Sequence, residues 1–187
     1  MKRLRHYFLP IMVALLAILF IGISFFDTLY RITDDVGMII ATDVVRLRDI
    51  FHRIHKTCEI IDFDAQKNPI NFLNVGSFTG SEIGPMNLVY PEKWQGPYLK
   101  DNPMVYNIAY QVVATKRGYY ITPGDGIKLP NKKIVGKDII LDQNADIDKM
   151  MVDEQAFRYK NKSLAARLEL GTPTNIQFFL PEELDDI

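Results

Sequence analysis

Oxygen-bearing side chains cluster between residues 138 and 148 and could bind a hard cation. They are Asp138, Asp142, Asn144, Asp146 and Asp148. From 142 to 148 they recur at every second residue, and calcium prefers about six to eight oxygen ligands. An EF-hand loop starting at Asp142 would need Gly and Glu where the chain has Ile147 and Asp153, so this is not an EF-hand. Two interpretations stay open: a calcium site of another kind, or a solvated turn with Asp146 as a helix cap.

Other residues with chemical potential give no catalytic pattern. Pro123-Gly124-Asp125-Gly126 lacks the spacing of a phosphate-binding loop and is interpreted as a turn. His52, His55 and Cys58 recur at every third residue, so on a helix the first and last point about 120° apart, too far to share an ion easily. None of the three histidines stands beside a serine or an acid in a way that would activate a nucleophile. We therefore predict no catalytic residues and no enzyme.

Three aromatic residues lie close together in the middle of the chain. Tyr90, Trp94 and Tyr98 recur at every fourth residue. Aromatic side chains dominate interfaces, so the group could stack on a peptide or a sugar. The prediction we favour is that they anchor a long loop to the core.

The elements that must position these residues begin with an amphipathic helix over 27–61. Its apolar residues recur at steps of three and four: Val36, Ile40, Val44, Leu47, Phe51, Ile54, Cys58 and Ile61. Such a stripe can be half of a core or a seam between copies. We expect Leu47, Phe51, Ile54 and Ile61 to be buried against a sheet. The seam stays open near the N-terminal end, so Val36, Ile40, Val44, Leu47, Phe51 and Ile54 are the candidate interaction residues.

An uncharged run of 19 residues over 8–26 precedes this helix. As a helix it would cover about 28 Å, close to the hydrocarbon thickness of a bilayer. Lys2, Arg3 and Arg5 precede the run, and the first acid, Asp27, follows it. The pattern predicts a single membrane span with residues 1–7 in the cytoplasm and the remainder exported. A cleaved signal peptide is the alternative, but the run is long and ends in bulky residues.

The remaining sequence, 62–187, predicts an extracytoplasmic α+β head with an acidic C-terminal tail. A long irregular loop is expected over 62–108, where turn dipeptides alternate with large apolar residues. A β-hairpin is expected over 109–122 and a third strand over 137–141. Short helices over 146–158 and 163–170, capped by Ser163 and Gly171, a last strand over 176–180 and a solvated tail over 182–187 complete the prediction. The fold class is thus α+β, with a long membrane and spine helix on a small antiparallel sheet.

Composition excludes several classes of protein. The chain has 187 residues, a net charge of −1 and 48% hydrophobic residues, so it is neither disordered nor a generic nucleic-acid binder. A single cysteine, Cys58, excludes an internal disulfide and any multi-cysteine zinc site.

The order of elements resembles that of the type IV pilins, and most of all the major pseudopilins of type II secretion systems. The segment from Trp94 to Pro103 is similar to the family's Gly-Tyr-Leu-Lys segment before the sheet, and Tyr110 to Gly126 resembles its hairpin and closing turn. The similarity covers roughly residues 8–142. The family's prepilin cleavage motif is absent, since no Gly precedes Gly22 and no acid precedes Asp27.

The resemblance implies a structural subunit or accessory of a type II secretion or type IV pilus machine. Its implied location is the inner membrane with the head in the periplasm, and its implied partners are the membrane and other copies or pilin-like subunits. Major pseudopilins bind calcium in a C-terminal loop, which favours calcium at Asp138–Asp148; no other cofactor, nucleic acid or small-molecule substrate is expected. The alternative function is a membrane-anchored binding module that holds a protein partner with the loop over 62–108.

Overall fold

The computed structural model describes the backbone of residues 4–170 and the side chains of 11–25 and 35–170. Its contacts divide the chain into two compact units, with the boundary between Val36 and Gly37. One helix, α1 (Leu4–Cys58), contributes to both units. Among the described side chains, no helical stretch is long and apolar enough to cross a membrane.

In the first unit, the large apolar side chains of residues 11–25 are exposed. They are Ile11, Met12, Val13, Leu15, Leu16, Ile18, Leu19, Phe20, Ile21, Ile23 and Phe25. A continuous apolar surface of this length is unusual for a helix in water. Among the described residues, these apolar side chains are therefore not part of a core.

In the second unit, the apolar stripe of α1 lies in the core. Ile40, Val44, Leu47, Phe51, Ile54 and Cys58 are all 0% exposed. The prediction that Leu47, Phe51 and Ile54 are buried is confirmed. From Ile40 onward the stripe is buried in the chain's own core, so these side chains cannot form a seam between copies. Val36 lies in the first unit and is half-buried.

The helix ends at Cys58, three residues before the predicted end. Glu59 adopts the left-handed conformation at φ 55°, and its N–H donates to the His55 carbonyl at 2.9 Å. The His55 ring Nδ1 accepts from the Ile60 N–H at 3.1 Å. Past this turn the chain is a strand, so side chains alternate with a period of two, and Ile61 is 57% exposed. The prediction that Ile61 is buried is wrong for this reason.

A four-stranded antiparallel sheet lies at the centre of the second unit. Its order is β11-β8-β7-β2, with β2 Lys67–Pro69, β7 Gln111–Thr115, β8 Gly118–Thr122 and β11 Ala166–Leu168. β7 and β8 form the predicted hairpin, in which Thr115 pairs with Gly118 across a two-residue turn. Both strands are buried along their whole length, so each face of the sheet is covered.

The two faces of this sheet have different coverings. Tyr119 contacts Phe63 in a tilted arrangement at a centroid distance of 5.2 Å, and Phe63 contacts Phe51 of α1 at 6.1 Å. This face therefore packs on the helix. The neighbouring Tyr120 points to the other face, where its hydroxyl donates to Asp148 at 2.7 Å. The segment that begins after β8 covers that second face.

The segment predicted as an irregular loop over 62–108 contains short strands. β1 (Ile60–Phe63), β4 (Met86–Leu88) and β3 (Glu82–Ile83) form a second antiparallel sheet in the order β1-β4-β3. A short 3₁₀ helix follows at Pro91–Lys93, and β5 (Met104–Val105) pairs with β6 (Ile108–Ala109). The stretches between these elements are irregular, as predicted.

The third strand predicted over 137–141 does not form. The Asp138 carboxylate accepts from the Ile134 N–H at 2.8 Å, and the Ile134 carbonyl accepts from the Asp138 N–H at 2.8 Å. These bonds close a tight turn, and Ile139 makes only an isolated bridge to Val135. Local side-chain hydrogen bonding therefore prevails over the apolar pattern.

The two predicted C-terminal helices are largely wrong. The first is reduced to α2, Ile147–Met150, followed by turns and the hairpin β9 (Arg158–Tyr159) and β10 (Lys162–Ser163). The second is replaced by β11, because Ala166–Leu168 completes the edge of β8. The predicted cap at Gly171, the strand over 176–180 and the tail over 182–187 lie outside the described residues.

Candidate interaction surface

A partly buried hydrogen bond joins α1 to the residue that precedes β7. Tyr110 is 0% exposed, and its hydroxyl donates to the Asp43 carboxylate at 2.8 Å. Burial, together with the neighbouring Asp43 charge, raises the pKa of Tyr110 far above its usual range. The hydroxyl therefore stays protonated and keeps its donor role. This bond connects α1 to the start of β7.

A groove runs along the exposed face of α1, between the helix and the loop over 95–99. It consists of two adjoining clefts of about 260 and 350 Å³ that share Arg53 and Tyr98. We call it the Tyr98 groove; its lining residues are Thr42, Val45, Arg46, Asp49, Ile50, Arg53, Lys56, Thr57, Gln95, Pro97, Tyr98 and Leu99. Ile50 and Leu99 are buried and form an apolar floor.

The wall opposite α1 is held by an aromatic cluster. The Trp94 ring lies edge-on to Phe78 at 5.5 Å and to Tyr98 at 4.7 Å, and its Nε1 donates to the Val75 carbonyl at 3.1 Å. Tyr98 and Leu99 both donate their N–H groups to the Leu73 carbonyl. The loop is therefore anchored by its aromatics, as predicted, but Trp94 and Tyr98 stay half-exposed. Tyr90 does not join them; its ring lies under the Lys93 ammonium at 3.7 Å.

The Tyr98 groove is electropositive. Arg46, Arg53 and Lys56 are exposed, and none of them forms an ion pair with a residue that the structure describes. The only acid in the lining, Asp49, is bound to Arg48 at 2.9 Å. The sequence had suggested only a solvated helix face here, since the convergence of these cations on Tyr98 depends on the fold.

Arg53 and Tyr98 meet at the centre of the groove. The guanidinium carbon lies 6.0 Å from the ring centroid, at the outer limit of a cation–π contact. Partial burial raises the pKa of the Tyr98 hydroxyl above its usual value, so the phenol is neutral at physiological pH. A neutral, half-buried tyrosine ring and a guanidinium therefore lie side by side in the groove.

The predicted calcium ligands are distributed over separate interactions. Asp138 closes the turn described above, and Asp142 accepts from the Asn144 N–H at 2.8 Å. Asp148 accepts from Tyr120 and lies 3.4 Å from the Arg167 guanidinium. Among the described residues, no three His, Cys, Asp or Glu side chains are grouped as metal ligands. Calcium binding by these residues stays a prediction.

Asp146 is the helix cap that the second interpretation required. Its carboxylate accepts from the Lys149 N–H at 3.2 Å and lies 3.0 Å from the Arg117 guanidinium. Desolvation acts to raise its pKa, but the hydrogen bonds from Lys149 and the charge of Arg117 prevail and lower the pKa below its usual value. The carboxylate is therefore charged, and protein cations already neutralise it.

The turn at Pro123–Gly126 is confirmed. Asp125 accepts from Lys67 Nζ at 2.7 Å and from Gln111 Nε2 at 3.1 Å, so it connects β2 and β7. A side chain at Gly124 would collide with the Ala109 carbonyl, and Gly126 has φ +95°. Asp125 thus has a structural role in the turn.

The histidines near the end of α1 line a second cleft, of about 370 Å³, beside the last described residues. We call it the β11 cleft; its lining residues are Arg48, Asp49, Phe51, His52, His55, Leu168, Glu169 and Leu170. His55 uses Nδ1 to accept from Ile60, as described, and Cys58 is buried. His52 is exposed whereas Cys58 is buried, so the structure does not bring these two side chains to one surface.

Comparisons with known proteins assign no relative. No family model, no curated protein and no solved structure matches this chain.

Proposed function

We propose that the chain is a membrane-anchored, pilin-like structural subunit of a secretion or pilus machine. In this proposal the N-terminal part of α1 is the anchor, and the head around its second half forms the outer surface of an assembly. No catalytic residue is assigned.

The observation that carries this proposal is the way α1 enters the head. From Gly37 to Cys58 the helix supplies part of the hydrophobic core of the head. The Tyr110–Asp43 hydrogen bond and the Phe51–Phe63–Tyr119 contacts fix it to the sheet. A force or displacement on the helix would thus be transmitted directly to the head, as a structural subunit requires.

The anchor rests on two further observations. The sequence has 19 uncharged residues over 8–26, preceded by cations. The described side chains of 11–25 are exposed and mostly apolar, so in water they would expose a large hydrophobic surface. Lipid, or the helices of neighbouring subunits in lipid, would cover this surface.

Contacts between copies must use surfaces other than the buried stripe. In the second unit, Met38, Ile39 and Val45 are exposed apolar residues of α1, at 38, 50 and 43%. A photoreactive phenylalanine analogue at position 39, in cells that express the full chain, should give cross-links to other copies or to pilin-like subunits. The same analogue at Lys137, an exposed position in the segment between β8 and α2, is the matched control.

The cross-linked products discriminate the proposal from its alternative. Products at multiples of the chain mass from position 39 support a structural subunit. A single product with an unrelated protein would instead favour a membrane-anchored binding module, for which the Tyr98 groove is the specific supporting feature. Equal and negligible cross-linking from both positions would contradict assembly through this face.

A further inference from the structure

The Tyr98 groove has uncompensated positive charge over an apolar floor. Arg46, Arg53 and Lys56 line it without ion-pair partners among the described residues, and Ile50 and Leu99 lie beneath them. Arg48 already neutralises the one acid of the lining, Asp49. A ligand with carboxylates and a short apolar side chain would therefore match this groove in charge and in polarity.

The sequence contains a segment with this chemistry. Residues 182–187 are Glu-Glu-Leu-Asp-Asp-Ile, four acids interleaved with two aliphatic residues. We propose that the Tyr98 groove binds the acidic segment 182–187 of its own chain. The proposal holds whether or not the chain assembles with other subunits.

The position of the last described residues allows this intramolecular binding. Leu168, Glu169 and Leu170 line the β11 cleft, and Asp49 lines both that cleft and the Tyr98 groove. The two clefts are therefore neighbours on α1. A helix with side chains is about 10–12 Å across, so the path around half of it is roughly 17 Å. The 12 residues from Leu170 to Glu182 can span up to roughly 40 Å.

The short connection also explains how a few exposed ion pairs suffice. Only 11 residues separate Leu170 from Glu182, and tethering a ligand through so short a connection gives an effective concentration on the order of millimolar. A segment with weak affinity as a free peptide would thus occupy the groove when it belongs to the same chain. Salt should weaken this binding, because the screening length falls from about 10 Å at 0.1 M to about 3 Å at 1 M, the separation of the charges in an exposed ion pair.

The chain provides its own optical probe. Trp94 is the only tryptophan, and its ring contacts Tyr98 in the wall of the groove. The experiment compares the wild-type full chain with the variant Glu182→Gln/Glu183→Gln/Asp185→Asn/Asp186→Asn, both in phosphatidylcholine nanodiscs. Each is titrated with a synthetic peptide of residues 181–187 while Trp94 emission is recorded.

The proposal predicts that the neutralised variant binds the peptide and that the wild type binds it several-fold more weakly, because its own segment competes. Arg53→Gln in the neutralised background should weaken peptide binding by about two- to fivefold, the contribution of one exposed ion pair. Lys137→Gln, an equal change of charge outside the groove in the segment between β8 and α2, should have no effect.

Three results would overturn the proposal. Equal peptide affinity of wild type and neutralised variant would exclude occupation by the chain's own segment. No binding to either protein would exclude the acidic ligand. A change of Trp94 emission in phosphatidylglycerol nanodiscs, with no response to the peptide, would assign the groove to anionic lipid instead.

Discussion

Truncation of Phe51 tests the central packing contact between α1 and the head. The side chain is 0% exposed, and its ring lies 6.1 Å from Phe63 and 6.2 Å from Phe72. Phe51→Ala would remove its buried surface and leave a cavity between two aromatic rings. Such substitutions cost about 3–5 kcal/mol. At about 2–4 °C per kcal/mol for a unit of this size, the melting temperature should fall by roughly 6–20 °C.

The assay is thermal unfolding of the full chain in detergent, followed by Trp94 fluorescence, which reports on the head. Ile61→Ala is the matched control, because Ile61 is 57% exposed and its loss should change stability by less than about 0.5 kcal/mol. Phe51→Leu should fall between the two, since it retains most of the apolar volume. If Phe51→Ala and Ile61→Ala melt at the same temperature, the stripe does not carry the core.

Three further predictions concern single contacts. Tyr110→Phe should destabilise the chain by about 1 kcal/mol in urea titrations through loss of its bond to Asp43, whereas Tyr106→Phe, at a 60% exposed position, should be neutral. Burial raises the pKa values of Tyr119 and Tyr120 to about 12, so stability should be unaffected below about pH 10 and fall between pH 10 and 12; tyrosinate absorbance rising well before unfolding would contradict this. Asp146→Ala should lower the melting temperature by a few degrees, and Asp146→Asn by less, because the lost hydrogen bond is to the Lys149 N–H. Both decreases should be the same in calcium and in chelator. A wild-type melting temperature that rises only in calcium would instead support the predicted calcium site.

The parts of the fold that follow from the sequence are those in which local pattern and tertiary packing agree. The stripe from Ile40 to Cys58 has helical spacing and faces a sheet, so its burial could be predicted. The hairpin over 109–122 could be predicted for the same reason, because β-rich runs flank a turn that ends in Gly118. Asp146 as a cap follows from its position before an apolar residue, Ile147.

The predictions from sequence are wrong where a hydrogen bond, either local or to a distant strand, determines the backbone structure. The apolar spacing from Leu164 to Leu168 is compatible with a short helix. Ala166–Leu168 instead pairs with the edge of β8 and forms a strand. No local signal specifies that edge. Ile61 continues the helical spacing, but Glu59 turns the chain before it is reached.

The Tyr98 groove could not be predicted because its two walls are distant in sequence. Arg53 belongs to α1 and Tyr98 to a loop about 45 residues later, and the loop's hydrogen bonds to Leu73 and Val75 and its aromatic contacts set their distance. On the helix alone, the cations have the pattern of an ordinary solvated face. The sequence indicates one wall of the groove only, through the basic residues at 46, 53 and 56 on one helical face.

The most direct test of the proposed function is the topology of the full chain in cells. With Cys58→Ala as the background, a single cysteine is introduced at Lys137 in one variant and at His6 in another. Spheroplasts are then treated with a membrane-impermeant maleimide. A membrane-anchored subunit with an exported head predicts labelling at position 137 in intact spheroplasts and at position 6 only after lysis. Labelling at position 6 with protection at position 137, or protection of both until lysis, would contradict it.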